Sequence, residues 1–149
     1  GNVNFDSVII ADFDESLKSV ITSLLYTDVS PKDKYFITFN QWFDKSLLNE
    51  TTSQPIYYPS INKKNLEEFK KKFLKHFNED SNHLSLLGYD LVGLIYYLSL
   101  KNDITDINKA FIAKNSFKGK IGVFDIENNK INHRLNFYKI ENRSLKEIF

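Results

Sequence analysis

Hydrophobic positions along the 149-residue chain change period from one end to the other. Residues 5–11 are a short apolar run in which Val8, Ile9 and Ile10 follow one another without polar alternation, the pattern of a strand buried on both faces and hence of a central parallel strand. The period then becomes helical: Leu17, Val20, Ile21, Leu24 and Leu25 fall on a single stripe, with Asp14 or Ser16 as N-cap and an end before Ser30-Pro31. Residues 35–39 form a second β-branched and aromatic run. The strand-helix-strand order predicts a right-handed parallel unit. Asn40, Gln41 and Trp42 stand just past its carboxyl end.

A short helical turn capped by Asp44 is expected at 45–48, and a brief extended segment at 55–59, where Pro55 and Pro59 favour an edge or a crossover. Over 65–77, Leu66, Phe69, Phe73 and Phe77 recur at three- and four-residue spacing opposite Lys70, Lys71, Lys72 and Lys75, which predicts a surface helix. Residues 84–100 read as a longer, more apolar helix and the most buried one, with Gly88 and Gly93 small enough to admit a close neighbour. A short helix follows at 104–111, capped by Asp103 or Thr105. Flexible punctuation at 118–122 precedes a hairpin of 123–126 and 133–140 around Glu127-Asn128-Asn129-Lys130, and 145–149 read as a final strand. The fold class expected is α/β, a parallel sheet flanked by helices with a C-terminal antiparallel hairpin, in one domain spanning residues 1–149.

Composition narrows the chemistry. Twenty basic and nineteen acidic residues leave a net charge of +1, so no long-range field draws a polyanion, and nucleic acid is not an expected partner. Zero Cys excludes disulfides, thiolate nucleophiles and cysteine-bearing metal sites. Every basic residue but Arg134 and Arg143 is lysine, in keeping with an AT-rich bacterial genome. No stretch reads as a membrane span of ~20 apolar residues. His76, His83 and His133 show no metal-ligand spacing, and no glycine-rich phosphate loop, nucleophile elbow or dinucleotide fingerprint is present, so neither metal nor cofactor is expected. The lysines of 63–75 fit a solvated helix face.

The sharpest catalytic lead is Asp12-Phe13-Asp14-Glu15-Ser16-Leu17 at the end of a hydrophobic strand. Phosphatases of the haloacid-dehalogenase type place a nucleophilic Asp and an acid/base Asp two residues apart there and use Mg²⁺, and Thr38 could supply a phosphate-binding hydroxyl. Glu15 stands where glycine is usual, and no later strand ends in the paired acids that hold the metal. A loop carboxylate at Asp12 and a helix cap at Asp14 account for the same residues.

Several segments together resemble a known family. They are Phe5-Asp6-Ser7-Val8-Ile9-Ile10-Ala11, the strand ending Phe39-Asn40-Gln41-Trp42, the aromatic Ile56-Tyr57-Tyr58-Pro59, the helix motif Leu87-Gly88-Tyr89-Asp90-Leu91-Val92, and Phe117-Lys118-Gly119-Lys120-Ile121-Gly122-Val123-Phe124-Asp125. In this order they resemble the C-terminal part of the type 1 periplasmic-binding-protein superfamily, the leucine-binding-like fold. Trp42-Phe43-Asp44 with Leu47-Leu48, and Arg134-Leu135, are most similar to its penicillin-binding-protein activator branch, envelope lipoproteins associated with peptidoglycan synthesis.

The resemblance implies a non-catalytic domain in the periplasm or cell envelope, one part of a two-lobe protein. Half a clamshell cannot close on a ligand alone, so a fragment, a rearranged homodimer or a reduced domain is expected. A small polar, amino-acid-like ligand would meet the strand ends through Asp12, Asn40 and Gln41, with Phe13 and Trp42 as apolar walls and Asp12 suited to an ammonium group. The alternative is a protein-interaction module that binds an envelope partner and regulates peptidoglycan synthesis through an exposed apolar patch.

Overall fold

The computed structural model describes residues 4–101, 107–112 and 114–149. Along the chain lie strands β1 (Ser7–Ile10), β2 (Tyr35–Thr38), β3 (Ile56–Ser60), β4 (Asn115–Lys118), β5 (Val123–Glu127), β6 (Lys130–Arg134), β7 (Asn136–Glu141) and β8 (Ser144–Glu147). The helices are α1 (Asp14–Leu25), α2 (Lys63–Phe77), α3 (His83–Lys101) and α4 (Ile107–Ile112), with 3₁₀ turns at Lys45–Leu48 and Thr51–Ser53. The chain divides into two compact units, Gly1–Ser60 with Asn136–Phe149, and Ile61–Leu135.

The first unit is a five-stranded sheet in the order β1-β2-β3-β7-β8, parallel across β1, β2 and β3 and antiparallel across β7 and β8. Leu17 and Ile21, one turn apart on α1, are buried with Phe36, Ile56, Tyr58, Tyr138 and Ile140. Burying each such side chain contributes about 1.5–3 kcal/mol, so the predicted stripe on α1 is what docks it. Phe43 stands edge-on to Tyr138 at 5.0 Å and to Tyr58 at 6.2 Å, closing this core.

Three expectations are corrected in this unit. β1 is the edge strand rather than a central one, and Ile9 is 68% exposed; three consecutive β-branched residues favour a strand without deciding its neighbours. β3 is the central strand despite its prolines. Pro59 opposes Phe137, whose backbone N–H donates to Phe149 and whose carbonyl accepts from Ile148, so Phe137 has no ladder bond to exchange with Pro59. On the other side the pairing with β2 ends at Tyr57, before the proline's missing N–H matters. Finally, α1 begins after Phe13 with no side-chain cap, and Asp14 has φ +50°. The carboxylate at the helix entrance is Asp12, whose Oδ2 accepts from Ser16 Oγ at 2.7 Å. The turn at Lys45–Leu48 forms as expected, with Asp44 accepting from the Ser46 N–H.

The second unit combines α2, α3 and α4 with an antiparallel sheet, β4-β5-β6. Asn62 caps α2, and Asn78 ends it in the left-handed conformation at φ +53°. Of the expected 104–111 helix, Ile107–Ile112 is seen, and its caps Asp103 and Thr105 lie outside the described residues. The expected 133–140 strand is two: β6 pairs in this sheet, β7 in the other, and the chain passes between them at Leu135.

Residues 84–100 do hold more buried residues than any other described helix, as expected, but the burial is narrow. Only Leu86, Asp90, Leu94 and Leu98 of α3 are buried, a single i, i+4 stripe, while Leu84, Leu91, Val92, Tyr96 and Leu100 are all more than half exposed. The reading that no segment suits a membrane span is corrected, because α3 is long and apolar enough by length and composition to cross one. Its buried stripe is nonetheless committed to this unit: Leu94 and Leu98 pack with Ala110 and Ile126.

Asp90 clamps α3 to the sheet. Its Oδ1 accepts from the Lys120 N–H at 2.7 Å and its Oδ2 from the Ile121 N–H at 2.8 Å. A Cβ on Gly119 would collide with Asp90 Oδ2. The two motifs Tyr89-Asp90 and Phe117-Lys118-Gly119 are therefore halves of one contact. Gly93 does admit a neighbour, the Phe117 ring 3.2 Å from where its Cβ would be, but Gly88 faces open space.

Candidate functional site

The carboxyl ends of β1, β2 and β3 bring all five expected ligand-binding residues onto one rim of the first unit. Asp12 and Phe13 follow β1; Asn40, Gln41 and Trp42 follow β2. Gln41 is buried, and its Nε2 donates to the carbonyls of Asp12 and Phe39, both at 3.1 Å. It thereby bolts the two strand-end loops together. Asn40 Oδ1 accepts from the Trp42 N–H at 2.9 Å and from Ser60 Oγ at 2.7 Å, which ties the same loop to the end of β3.

Trp42 and Phe43 both hold positive φ, +50° and +61°. Such a conformation costs an L-residue on the order of 1–3 kcal/mol, and it clusters where a loop is shaped for a task. The Asn40 bond to Trp42 helps hold it. Trp42 is half-buried, Phe13 and Phe39 about half exposed.

Asp12 Oδ1 accepts from the Phe13 N–H at 2.9 Å. The Ser16 hydroxyl bond first, then this backbone bond, hold the Asp12 carboxyl below the usual carboxylate range, so it is ionised at neutral pH. Its position at the start of α1 also places it where the helix dipole favours an anion. The rim thus carries one fixed negative charge, amide groups and exposed aromatic area.

Thr38 does not serve as the phosphate-binding hydroxyl. It is fully buried and its Oγ1 donates to the Phe39 carbonyl. Among the described residues no group of three or more His, Cys, Asp or Glu side chains is placed to hold a metal ion. Phe39 and Ser60 belong to the rim and escape sequence reasoning. Phe39 reads there as the last residue of a strand, and Ser60 joins through a contact twenty residues away along the chain.

No protein-family model matches the chain, and no curated protein does. Among solved structures it is similar to an extracellular ligand binding receptor from Desulfohalobium retbaense DSM5692, with a TM-score of 0.61 and 14% identity over 96% of this chain. The fold is that of part of such a receptor. The chain spans 26% of the receptor's length. The likeness agrees with the periplasmic-binding-protein resemblance in architecture, a mixed α/β fold with parallel strands flanked by helices, and does not extend to the penicillin-binding-protein activator branch. Asp12, Phe13, Asn40, Gln41 and Trp42 lie just past the carboxyl ends of the parallel strands β1 and β2.

Proposed function

We propose that the chain is a non-catalytic, periplasmic-binding-protein-like ligand-recognition domain of a bacterial envelope protein. It takes a small polar ligand bearing an ammonium group, of the amino-acid class, on the rim formed by Asp12, Phe13, Asn40, Gln41 and Trp42. The observation that carries this reading is the cross-tied rim itself: Gln41 and Asn40 lock the ends of three parallel strands around an ionised Asp12 in a fold similar to a ligand-binding receptor. Asp12 is the ammonium partner. The half-exposed Phe13 and Trp42 supply apolar walls, and Gln41 acts mainly by fixing the loops, since its amide nitrogen is spent on backbone carbonyls. As part of a two-lobe protein, the domain would contribute one face of the cleft.

Trp42, the sole tryptophan, provides the assay. Titration with a panel of amino acids and amines is expected to change its emission saturably for at least one class, and Asp12→Asn to weaken that response by on the order of tenfold or more. A wild-type protein that responds to none of them, yet retains an envelope protein on affinity capture, would support instead the module that regulates peptidoglycan synthesis.

A further inference from the structure

A second concavity lies wholly within the second unit, remote in sequence from the rim. Phe69, Phe73 and Phe77 on α2 and Tyr89, Val92 and Tyr96 on α3 line an open groove of about 520 Å³. This lies within the ~300–1,000 Å³ typical of small-molecule sites. The aromatic wall is continuous: ring centroids of Phe69 and Phe73 are 5.7 Å apart, of Phe73 and Phe77 4.6 Å, and Tyr89 stands edge-on to Phe69 at 5.5 Å. Phe77, Tyr89, Val92 and Tyr96 remain 58–68% exposed, an apolar patch that water covers at a cost.

The groove shares its aromatic walls with an adjoining recess of about 160 Å³, whose polar margin is Lys72, His76 and Lys120. Among the described residues no Asp or Glu lines either space. Lys120 is anchored there, because its backbone N–H is bound by the buried Asp90. An apolar trough ending in two lysines is complementary to a molecule with an apolar chain and one anionic head. A second copy of this chain is a poorer occupant, since a two-fold axis through the groove would set Lys72 and Lys120 near their own counterparts without a carboxylate in the lining to offset them.

We propose that this groove is a binding site for a single-chain amphipathic anion of the long-chain carboxylate class, its chain against Phe73, Phe77, Val92 and Tyr96 and its carboxylate between Lys72 and Lys120. The site is separate from the strand-end rim and does not depend on it.

Gly88 offers a direct test. It lines the groove, and a Cβ there meets nothing within 4 Å, so a side chain added at this position enters the trough. Calorimetric titration of the whole chain with monomeric dodecanoate, below its micelle concentration, is expected to show saturable one-to-one binding. Gly88→Phe is expected to weaken it by on the order of tenfold or more with the far-ultraviolet spectrum unchanged. The pair Lys72→Glu with Lys120→Glu is expected to weaken it similarly with the far-ultraviolet spectrum unchanged, and dodecyltrimethylammonium not to compete. The proposal is overturned by any of four results: no saturable binding, equal affinity in wild type and both variants, binding only to anionic phosphatidylglycerol vesicles, or a wild-type dimer that Gly88→Phe dissociates. Failure of amino acids to bind at Trp42 would leave these outcomes unchanged.

Discussion

Asp90→Ala removes the acceptor for two backbone N–H groups, of which Ile121's is buried. Two charge-assisted bonds lost, one of them buried, predict destabilisation of about 3 kcal/mol, read as a lowered urea midpoint at unchanged slope. Gly119→Ala should be destabilising for the complementary reason, as its Cβ would collide with the same carboxylate. The two changes should therefore be strongly non-additive: in the Asp90→Ala background, Gly119→Ala should cost less. Simple additivity would show that the carboxylate is not what the glycine avoids. At Tyr58 the opposite sign is expected. Its hydroxyl is buried with no partner among the described residues, and burial pushes its pKa up. Tyr58→Phe should be neutral or stabilising by about 1 kcal/mol in thermal melts; a loss of that size would reveal a partner for the hydroxyl. Charge adds a pH signature. Asp12, bound by Ser16, and Asp125, bound by Arg134 at 2.8 Å, both titrate below the ordinary aspartate value of 3.8. A depressed folded pKa stabilises fully above that value, and the contribution is lost as pH falls through the folded value. The stability gap between wild type and Arg134→Ala should accordingly be constant near neutrality and close in acid. A gap that widens on acidification contradicts the ion-pair assignment.

At the scale of elements, the helices were the most legible feature and α3 the most misleading. Its apolar residues are so numerous that they encircle the helix and hide the stripe the fold uses, Leu86-Asp90-Leu94-Leu98, in which the decisive member is an acid. Period alone cannot pick a buried stripe from a helix that is apolar all round. β4 was missed because Asn115-Ser116-Phe117-Lys118 has a single large apolar residue, and its pairing comes from β5 instead. β3 was misplaced because proline was weighed without knowing which neighbour would need its N–H. The two helical glycines separate in the same way. Gly88→Ala should raise stability by about 0.5–1 kcal/mol, since it gains helix propensity and meets no atom. Gly93→Ala should gain less or lose, because its Cβ would stand 3.2 Å from the Phe117 ring, which has to give way. Equal shifts in melting temperature for the two would mean that Phe117 yields freely.

At the scale of the whole molecule, the strand-helix-strand beginning, the aromatic third strand and the α/β class were legible, and so was the position of the five rim residues past the strand ends. What was not legible is how the rim is held, since Gln41 and Asn40 act through contacts to Asp12 and Ser60 that no local pattern encodes. The same non-locality governs the sheet. β7 and β8 return from the far end of the chain to complete a core begun by residues 4–60, and Tyr138 and Ile140 are both buried in it against Phe36, Ile56 and Tyr58. Those two side chains alone represent about 3–6 kcal/mol of burial, a large share of the ~5–15 kcal/mol that stabilises a typical domain. Ending the chain after Leu135 should therefore unfold the first unit. Trp42 belongs to that unit and is the sole tryptophan, so its emission reports on it alone. The truncated chain should emit at the wavelength of the urea-unfolded protein, and amino-acid titration should leave that emission unchanged. Native-like emission after truncation would show that residues 4–60 hold their core without β7, and the aromatic stack of Tyr58 on Tyr138 at 5.9 Å would then count for little in the rim's support.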